Sequence, residues 1–249
     1  MPALDLLMPT ALGVGLLVAV TIAVLWSARA PRPLAPSWAI LRGAIQLALI
    51  SLVLSQVIGS GFYVSLALLV MFTVAAITAT RRIGWSGRRL TLLAGSMAAG
   101  IGVTLAIVFL TGALEPSARY GLAIGGIVIG NAMAVATLTG RQLNESINEH
   151  WDEVEGWLAL GATPRQSTIR LARAAVYSAL IPATDQTKTT GLVTLPGAFV
   201  GAIFGGVSPL EAGRFQIVVL ASVMAAGSIT SVLLARFLGP VRVRPPLLR

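Results

Sequence analysis

Apolar runs of roughly 20 residues recur along the chain, and that recurrence limits the fold more than any single motif, because about 20 apolar helical residues cross the hydrocarbon of a bilayer. Such runs lie near Leu6–Trp26, Trp38–Ile58, Phe62–Thr80, Leu90–Thr111, Tyr120–Leu138 and Phe215–Phe237, and a longer apolar stretch covers Ala174–Val207. Backbone polar groups in lipid must be paired within the segment, so runs of this length predict an all-α, polytopic membrane protein. Composition agrees. The chain is 56% hydrophobic and 11% charged, whereas charged residues make up about a quarter of a soluble domain. Spans on this scale leave no room in 249 residues for a separate soluble catalytic domain, so one transmembrane domain over residues 1–249 is expected. There is no cysteine, which excludes disulfides, thiolate metal sites and a Cys nucleophile. The N-terminus MPALDLLMPTALGVG lacks the basic segment and small-residue cleavage site of a signal peptide, so its apolar run reads as a retained span.

A net charge of +9 could suggest nucleic acid, but the arginines sit at the ends of apolar runs instead of forming a basic face. No nucleic-acid partner is expected; the partner implied is membrane lipid. With the N-terminus outside and the spans alternating, one side receives fourteen arginines: Arg29 and Arg32, the Arg81–Arg89 cluster, four between 141 and 173, and four at the C-terminus. The other receives Arg119 and Arg214. Positive charge accumulates on the cytoplasmic side, so the 141–173 insert and the C-terminus are expected in the cytoplasm of a plasma-membrane protein.

That orientation requires Ala174–Val207 to cross an odd number of times. Its 34 residues are too many for one straight helix and too few for two spans and a turn. Pro182, Gly191, Pro196 and Gly197 punctuate it, predicting a helix that enters from the cytoplasm, breaks near Gly191–Gly197, and finishes the crossing as a second segment. The total is about seven crossings. Small residues four apart mark expected helix contacts, because they let backbones approach closely in lipid. The pattern runs through Gly197, Gly201 and Gly205, through Ala94, Ala98 and Gly102, and through the pairs Gly121/Gly125 and Gly126/Gly130.

Between the fifth run and that stretch the sequence turns polar, RQLNESINEHWDEVEGWLALGATPRQSTIRLAR, holding five of the nine acids and the only histidine. Leu143, Ile147, Val154 and Leu158 make one apolar stripe on a helix expected from Arg141 to Leu160, with Trp151 and Trp157 beside it. Gly161 ends that helix, and Thr163-Pro164 reads as the cap and first-turn proline of another, running to about Ile181. An acidic helix, a GATP turn and a basic helix predict a docking element for a cytoplasmic partner. His150, within it, reads as a surface residue and not as a metal ligand.

These residues carry a family likeness. EVEGWLALGAT resembles the cytoplasmic loop of ATP-binding-cassette (ABC) permeases, whose pattern is Glu-Ala-Ala, three residues, then Gly; here it is Glu155-Gly156-Trp157, three residues, and Gly161. Two alanines of the pattern are replaced, and its following Ile-x-Leu-Pro is absent. The longer combination of IGN at 129–131, DEVEGWLALGATP, ALIPATDQTKT and GLVTLPGAFVGAIFGGVSPLEAGRFQIVV resembles the bacterial Fet-type iron-export permeases, whose plant relatives are associated with aluminium tolerance. The resemblance implies a permease subunit, working as a pair, that moves iron or an iron-related solute with ATP hydrolysed by a separate cytoplasmic ATPase. It places the ATPase contact at Glu155, Leu160, Gly161, Ala162, Thr163 and Pro164. The chain itself has no GxxxxGK[ST] phosphate loop, so it is expected to be a transport subunit, not an enzyme, and to hold no cofactor.

Polar groups within spans are costly and mark candidate pathways. They are Arg42 and Gln46 on one face of the second span, Gln56 further along it, Asn131 in the fifth, and Asp185, Gln186 and Lys188 just beyond Pro182. Asp185 and Lys188, three apart, can equally neutralise each other on one helix face. With no Cys and one His, a tight cage for a soft metal is not available. A gradient-driven carrier or channel is the competing class. Carriers of that kind pair two broken helices, and only one broken segment is read here.

Overall fold

The computed structural model describes residues 2–57 and 60–247, with side chains described at 8–52 and 60–247. The expected end of the second span at Ile58, the side chain of Gln56, and Gly59 of the turn before the third span lie outside the described residues. The architecture is helical, as expected. The chain divides into two compact units, Met1–Gly59 and Ser60–Arg249.

In the first unit, α1 (Pro2–Ser27) and α2 (Ala35–Val57) contact each other. Their described side chains are mostly apolar and exposed, Leu12, Leu16, Leu47 and Leu52 among them. Helices that are apolar all round are what lipid accepts. Pro9 lies within α1 without ending it.

The second unit contains α3 (Gly61–Arg82), α4 (Gly87–Leu110), α5 (Ala118–Glu149), α6 (Trp151–Ala159), α7 (Pro164–Thr189), α8 (Gly197–Phe204) and α9 (Pro209–Leu238). α5 and α9 form its centre: α9 packs on α4, α5, α7 and α8, and α5 packs on α3, α4, α6, α7 and α9. The core between α3, α4, α5 and α9 is built from Ala79, Leu93, Met97, Ile124, Val128, Ala132 and Leu234. Two polar ties cross it. Thr139 and Ser231 share a hydrogen bond of 3.0 Å between α5 and α9, and Thr230 donates to the Ser96 carbonyl of α4 at 3.4 Å.

Among the described residues six helices are long and apolar enough to cross a membrane. The remaining expected crossing falls to the broken pair α7–α8. The start of α7 lies beside the end of α9, where Gly239 approaches Ala172. The start of α9 lies at the opposite end, where Arg214 donates to the Ala113 carbonyl between α4 and α5. The chain from α7 to α8 must therefore run the length of the unit. The break lies at Thr190–Pro196, as expected, with Gly191 at φ +89°. Pro182, by contrast, sits inside a continuous α7.

Several helix boundaries depart from expectation: α7 continues past Ile181 to Thr189 and α9 begins at Pro209, ahead of Phe215. No helix begins at Arg141: α5 runs unbroken from Ala118 to Glu149. Its 32 residues extend about 48 Å at the usual rise, against about 30 Å of hydrocarbon, so its last turns stand clear of lipid. The single helix read over Arg141–Leu160 is instead the end of α5 and a separate α6, parted at His150 (φ −109°, ψ 30°). The apolar stripe carries across this joint because Leu143, Ile147 and Val154 bury into one cluster with Leu171 and Ala175 of α7. A tertiary pocket, not a helical period, keeps those side chains together.

The arginines are gathered by contact at one end. Arg141 donates to the Arg82 carbonyl at 3.3 Å, and Arg89 shares a small cavity with Leu143, Leu238 and Val241. Arg244 binds Asn148 through its side-chain oxygen at 3.2 Å and its carbonyl at 3.0 Å. The other end holds Arg119 and Arg214 beside Glu115 and Glu211.

Candidate functional site

At the arginine-rich end, α6 and α7 form a helix–turn–helix on their own apolar floor. Val154 and Ala175 are fully buried, Leu171 nearly so, and Trp151 and Leu158 close the edges. An exposed ion pair, Glu153 with Arg170, ties α6 to α7; at that exposure it contributes little beyond registry.

The turn between them is fixed from both sides. The Ala162 amide donates to the Trp157 carbonyl and the Gly161 amide to the Leu158 carbonyl, each at 3.0 Å. These two bonds, with Gly161 at φ +89°, make a Schellman closure, which favours glycine at the left-handed position. Thr163 then opens α7 with a capping box: its Oγ1 accepts from the Gln166 amide at 3.3 Å, and Gln166 Oε1 accepts from the Thr163 amide at 2.9 Å. Pro164 takes the first helical position, where no amide hydrogen is needed.

What the turn presents is apolar. Leu160 is 83% exposed and Trp157 51%, while Glu155, Gly161 and Thr163 are exposed around them and Ala162 and Pro164 are half-buried. The contact residues expected from the sequence therefore share one projecting tip. The stripe Leu143–Ile147–Val154 is used internally and is not available to a partner.

The pathway candidates are not drawn into one place. Asp185 and Lys188 form an ion pair at 3.7 Å, with side chains 62% and 70% exposed. Asp185 stands 21 residues along α7 from Pro164, about 32 Å from the tip, close to the contact of Ala183 with Val219 of α9. Gln186 is exposed beside them. The Asn131 amide donates to the Ile127 carbonyl of its own helix at 3.0 Å. Ile127 packs with Ala183 and Val219, so Asn131 lies near the contact of α5, α7 and α9. Arg42 and Gln46 lie exposed on α2 of the first unit. Gly197 and Gly201 lie on α8 and Gly205 caps its end, and nothing stands within 4 Å of a side chain built at Gly197 or Gly201. Gly201 and Gly205 border a cavity of about 390 Å³ with Arg119, Tyr120 and Glu211, at the end away from the arginine-rich one. Among the described residues no three His, Cys, Asp or Glu groups gather as a metal site.

The model of the family described as "Uncharacterised protein family (UPF0014)" matches residues 9–240. The chain belongs to UPF0014. It is 40% identical to the UPF0014 membrane protein STAR2 of Oryza sativa subsp. japonica over 79% of this chain and 70% of that protein. It is 37% identical to the Protein ALUMINUM SENSITIVE 3 of Arabidopsis thaliana over 78% and 72%. To the probable iron export permease protein FetB of Escherichia coli (strain K12) it is 31% identical over 79% and 76%. The likeness to iron-export permeases and their plant relatives, read first from the motifs, is thereby met. No solved structure matches.

Two features of this UPF0014 chain escape motif reading. Gln216 of α9 is buried, 7% exposed, and its Oε1 has no hydrogen-bond partner. It lies one turn from Val219, which packs on Ala183, so it faces the level of Asp185 on α7. A single Gln in a long apolar run carries no spacing signal. The second feature is close helix contact at Gly100, Gly125, Gly140 and Gly227. A side chain at Gly100 would stand 2.5 Å from Thr230 Oγ1 and 2.6 Å from the Ala226 carbonyl oxygen. The expected Ala94/Ala98/Gly102 face is not the packed one: Ala98 and Gly102 are exposed, and Leu93, Met97 and Gly100 are buried. Each expected glycine pair of α5 is half right, since Gly125 meets Leu68 and Gly126 meets Met71, while Gly121 and Gly130 meet nothing.

Proposed function

We propose that this chain is the permease subunit of an ABC transporter, one transmembrane domain with residues 141–173 as its coupling insert. The observation that carries the reading is the tip at Trp157–Pro164: two apolar side chains held out of water's preference on a turn locked by a Schellman closure and a capping box. A plain connecting loop has no need of either. In this reading the tip enters a cleft of a cytoplasmic ATPase. Leu160 and Trp157 fill the cleft, Glu155 meets its polar rim, and Gly161 permits the turn. Force then passes along α7, a single helix from the tip to the break at Thr190–Pro196.

A pair of these chains would work on a pair of ATPase subunits in the plasma membrane, with the arginine-rich end cytoplasmic and the N-terminus outside. The cargo is iron or an iron-related solute and the direction is export; the support for both is the printed name of the FetB relative. Oxygen and amide groups near the α5–α7–α9 contact, Asn131, Asp185 and Gln186, would offer a hard cation or a chelate weak and brief contacts in transit. Arg42 and Gln46 on α2 would line another part of the route.

The test is to express the chain with a candidate ABC ATPase from the same genome, purify through a tag on one, and measure ATP hydrolysis and labelled-iron efflux. Association, ATPase activity altered by the permease, and efflux lost in Leu160→Asp are expected. Two proteins that do not associate, with hydrolysis indifferent to this chain, would overturn the reading.

A further inference from the structure

A second surface at the arginine-rich end is built differently from the coupling tip. Between the first half of α7 and the last turns of α9 lies a groove of about 320 Å³. Its floor and walls are apolar, with Ile169, Val176 and Val232 along it, and Arg165, Arg173 and Arg236 stand at its margins. Ile169 and Val232 are 38% and 53% exposed. Arg165, Ile169 and Arg173 recur every four residues along one stripe of α7, which sets the two arginine Cα atoms about 12 Å apart along the axis, a span that two long side chains can close over one anion. Arg236 comes from α9, where its apolar run gives out at Leu238.

No carboxylate borders the groove. Among the described residues these three arginines make no ion pair and no side-chain hydrogen bond, whereas Arg170, on the same helix but facing α6, is paired with Glu153. Three unpaired cations beside exposed apolar surface repel one another, and water alone satisfies only the cations. An occupant with an anionic head and an apolar body satisfies both. The level is also right: the end of a long apolar helix meets a guanidinium, which is where a bilayer's headgroups lie.

We propose that this groove is a binding site for an acidic phospholipid, its phosphate held by Arg165, Arg173 and Arg236 and its acyl chain laid over Ile169, Val176 and Val232. Guanidinium groups suit phosphate because they offer paired donors in a fixed plane, and basic pockets between membrane helices bind anionic headgroups on the same grounds. Because α7 also carries the coupling tip, lipid in this groove would brace the helix that the tip moves. The site does not depend on the transport reading.

The test uses the full chain in detergent, titrated with phosphatidylglycerol or phosphatidylcholine and read by native mass spectrometry. Phosphatidylglycerol should bind the unaltered chain in preference. Replacing Arg165, Arg173 and Arg236 together by Gln should weaken it by at least about tenfold, and replacing them by Lys should retain most of the binding. Val232→Trp, which fills the apolar wall without touching charge, should also weaken it. Arg88→Gln with Arg242→Gln, on the same end but outside the groove, should change it less than about twofold. Equal binding of the two lipids, undiminished phosphatidylglycerol in the Gln triple variant, or displacement of the lipid by inorganic phosphate at equal concentration would each overturn the proposal. So would loss of a dimer in place of loss of lipid, which would give the groove to a second copy.

Discussion

Gly100 and Gly102 are two residues apart on α4 and have opposite consequences. At Gly100 the backbone of α9 is so near that an added methyl meets a carbonyl oxygen at 2.6 Å, and a backbone atom cannot be moved cheaply. At Gly102 the space is open. Gly100→Ala should therefore destabilise the protein by about 1–3 kcal/mol, the usual cost of overpacking. Gly102→Ala should be neutral or raise stability by up to about 1 kcal/mol through helix propensity. Thermal unfolding of the two variants in the same detergent decides this, and equal effects would show that α4 and α9 do not pack as described. Asp185 poses a related question. Its pairing with Lys188 is exposed, so Asp185→Asn should cost no more than about 0.5 kcal/mol of stability. A fall in iron efflux with unchanged melting would make it a pathway residue, and unchanged efflux would leave it a surface ion pair.

At the scale of elements, the α6–α7 hairpin is the part whose form its sequence explains most fully. The left-handed turn requires Gly161, since a β-carbon there costs about 1–2 kcal/mol, and the α7 terminus requires Thr163, whose replacement by Ala costs about 1 kcal/mol. Gly161→Pro goes further, because its φ of +89° is closed to proline. We expect Gly161→Pro and Thr163→Ala to raise hydrogen exchange at the tip while the amides of α4 and α9 stay protected. Gly161→Pro should also separate ATP hydrolysis from transport. Intact coupling in that variant would move the ATPase contact elsewhere on the chain. The cluster beneath should behave otherwise: Val154→Asp places an unpaired charge at a fully buried position and should unfold the hairpin as a whole.

Across the second unit, charge and contact agree on two unlike ends. Arg82, Arg89, Arg141 and Arg244 lie at one, where Arg141 bonds the Arg82 carbonyl, Arg89 the Ile83 carbonyl and Arg244 Asn148, and Arg214 reaches the α4–α5 turn at the other. Absence of native cysteine makes the orientation testable without a background. Leu160→Cys should be protected from a membrane-impermeant maleimide in intact cells and labelled after lysis, and Glu115→Cys should be labelled in both. The reverse pattern would invert the protein and remove the tip from any cytoplasmic ATPase.

The sequence by itself determined the helical class, most of the spans, the break at Thr190–Pro196 and the Gly161–Pro164 turn. Each depends on local rules: a run long enough for a bilayer, a φ that only glycine takes readily, a proline placed where no amide is needed. The tertiary structure alone decided which face of a helix is buried. In lipid the outer and inner faces of a span are equally apolar, so no period distinguishes Ala98 and Gly102, exposed, from Met97 and Gly100, packed. The same ambiguity hid Gln216 and the true extent of α5, whose stripe continues past the membrane because α7 is there to receive it. It also concealed the three arginines of the groove, since Arg165, Arg173 and Arg236 come together only when the end of α9 packs beside the start of α7.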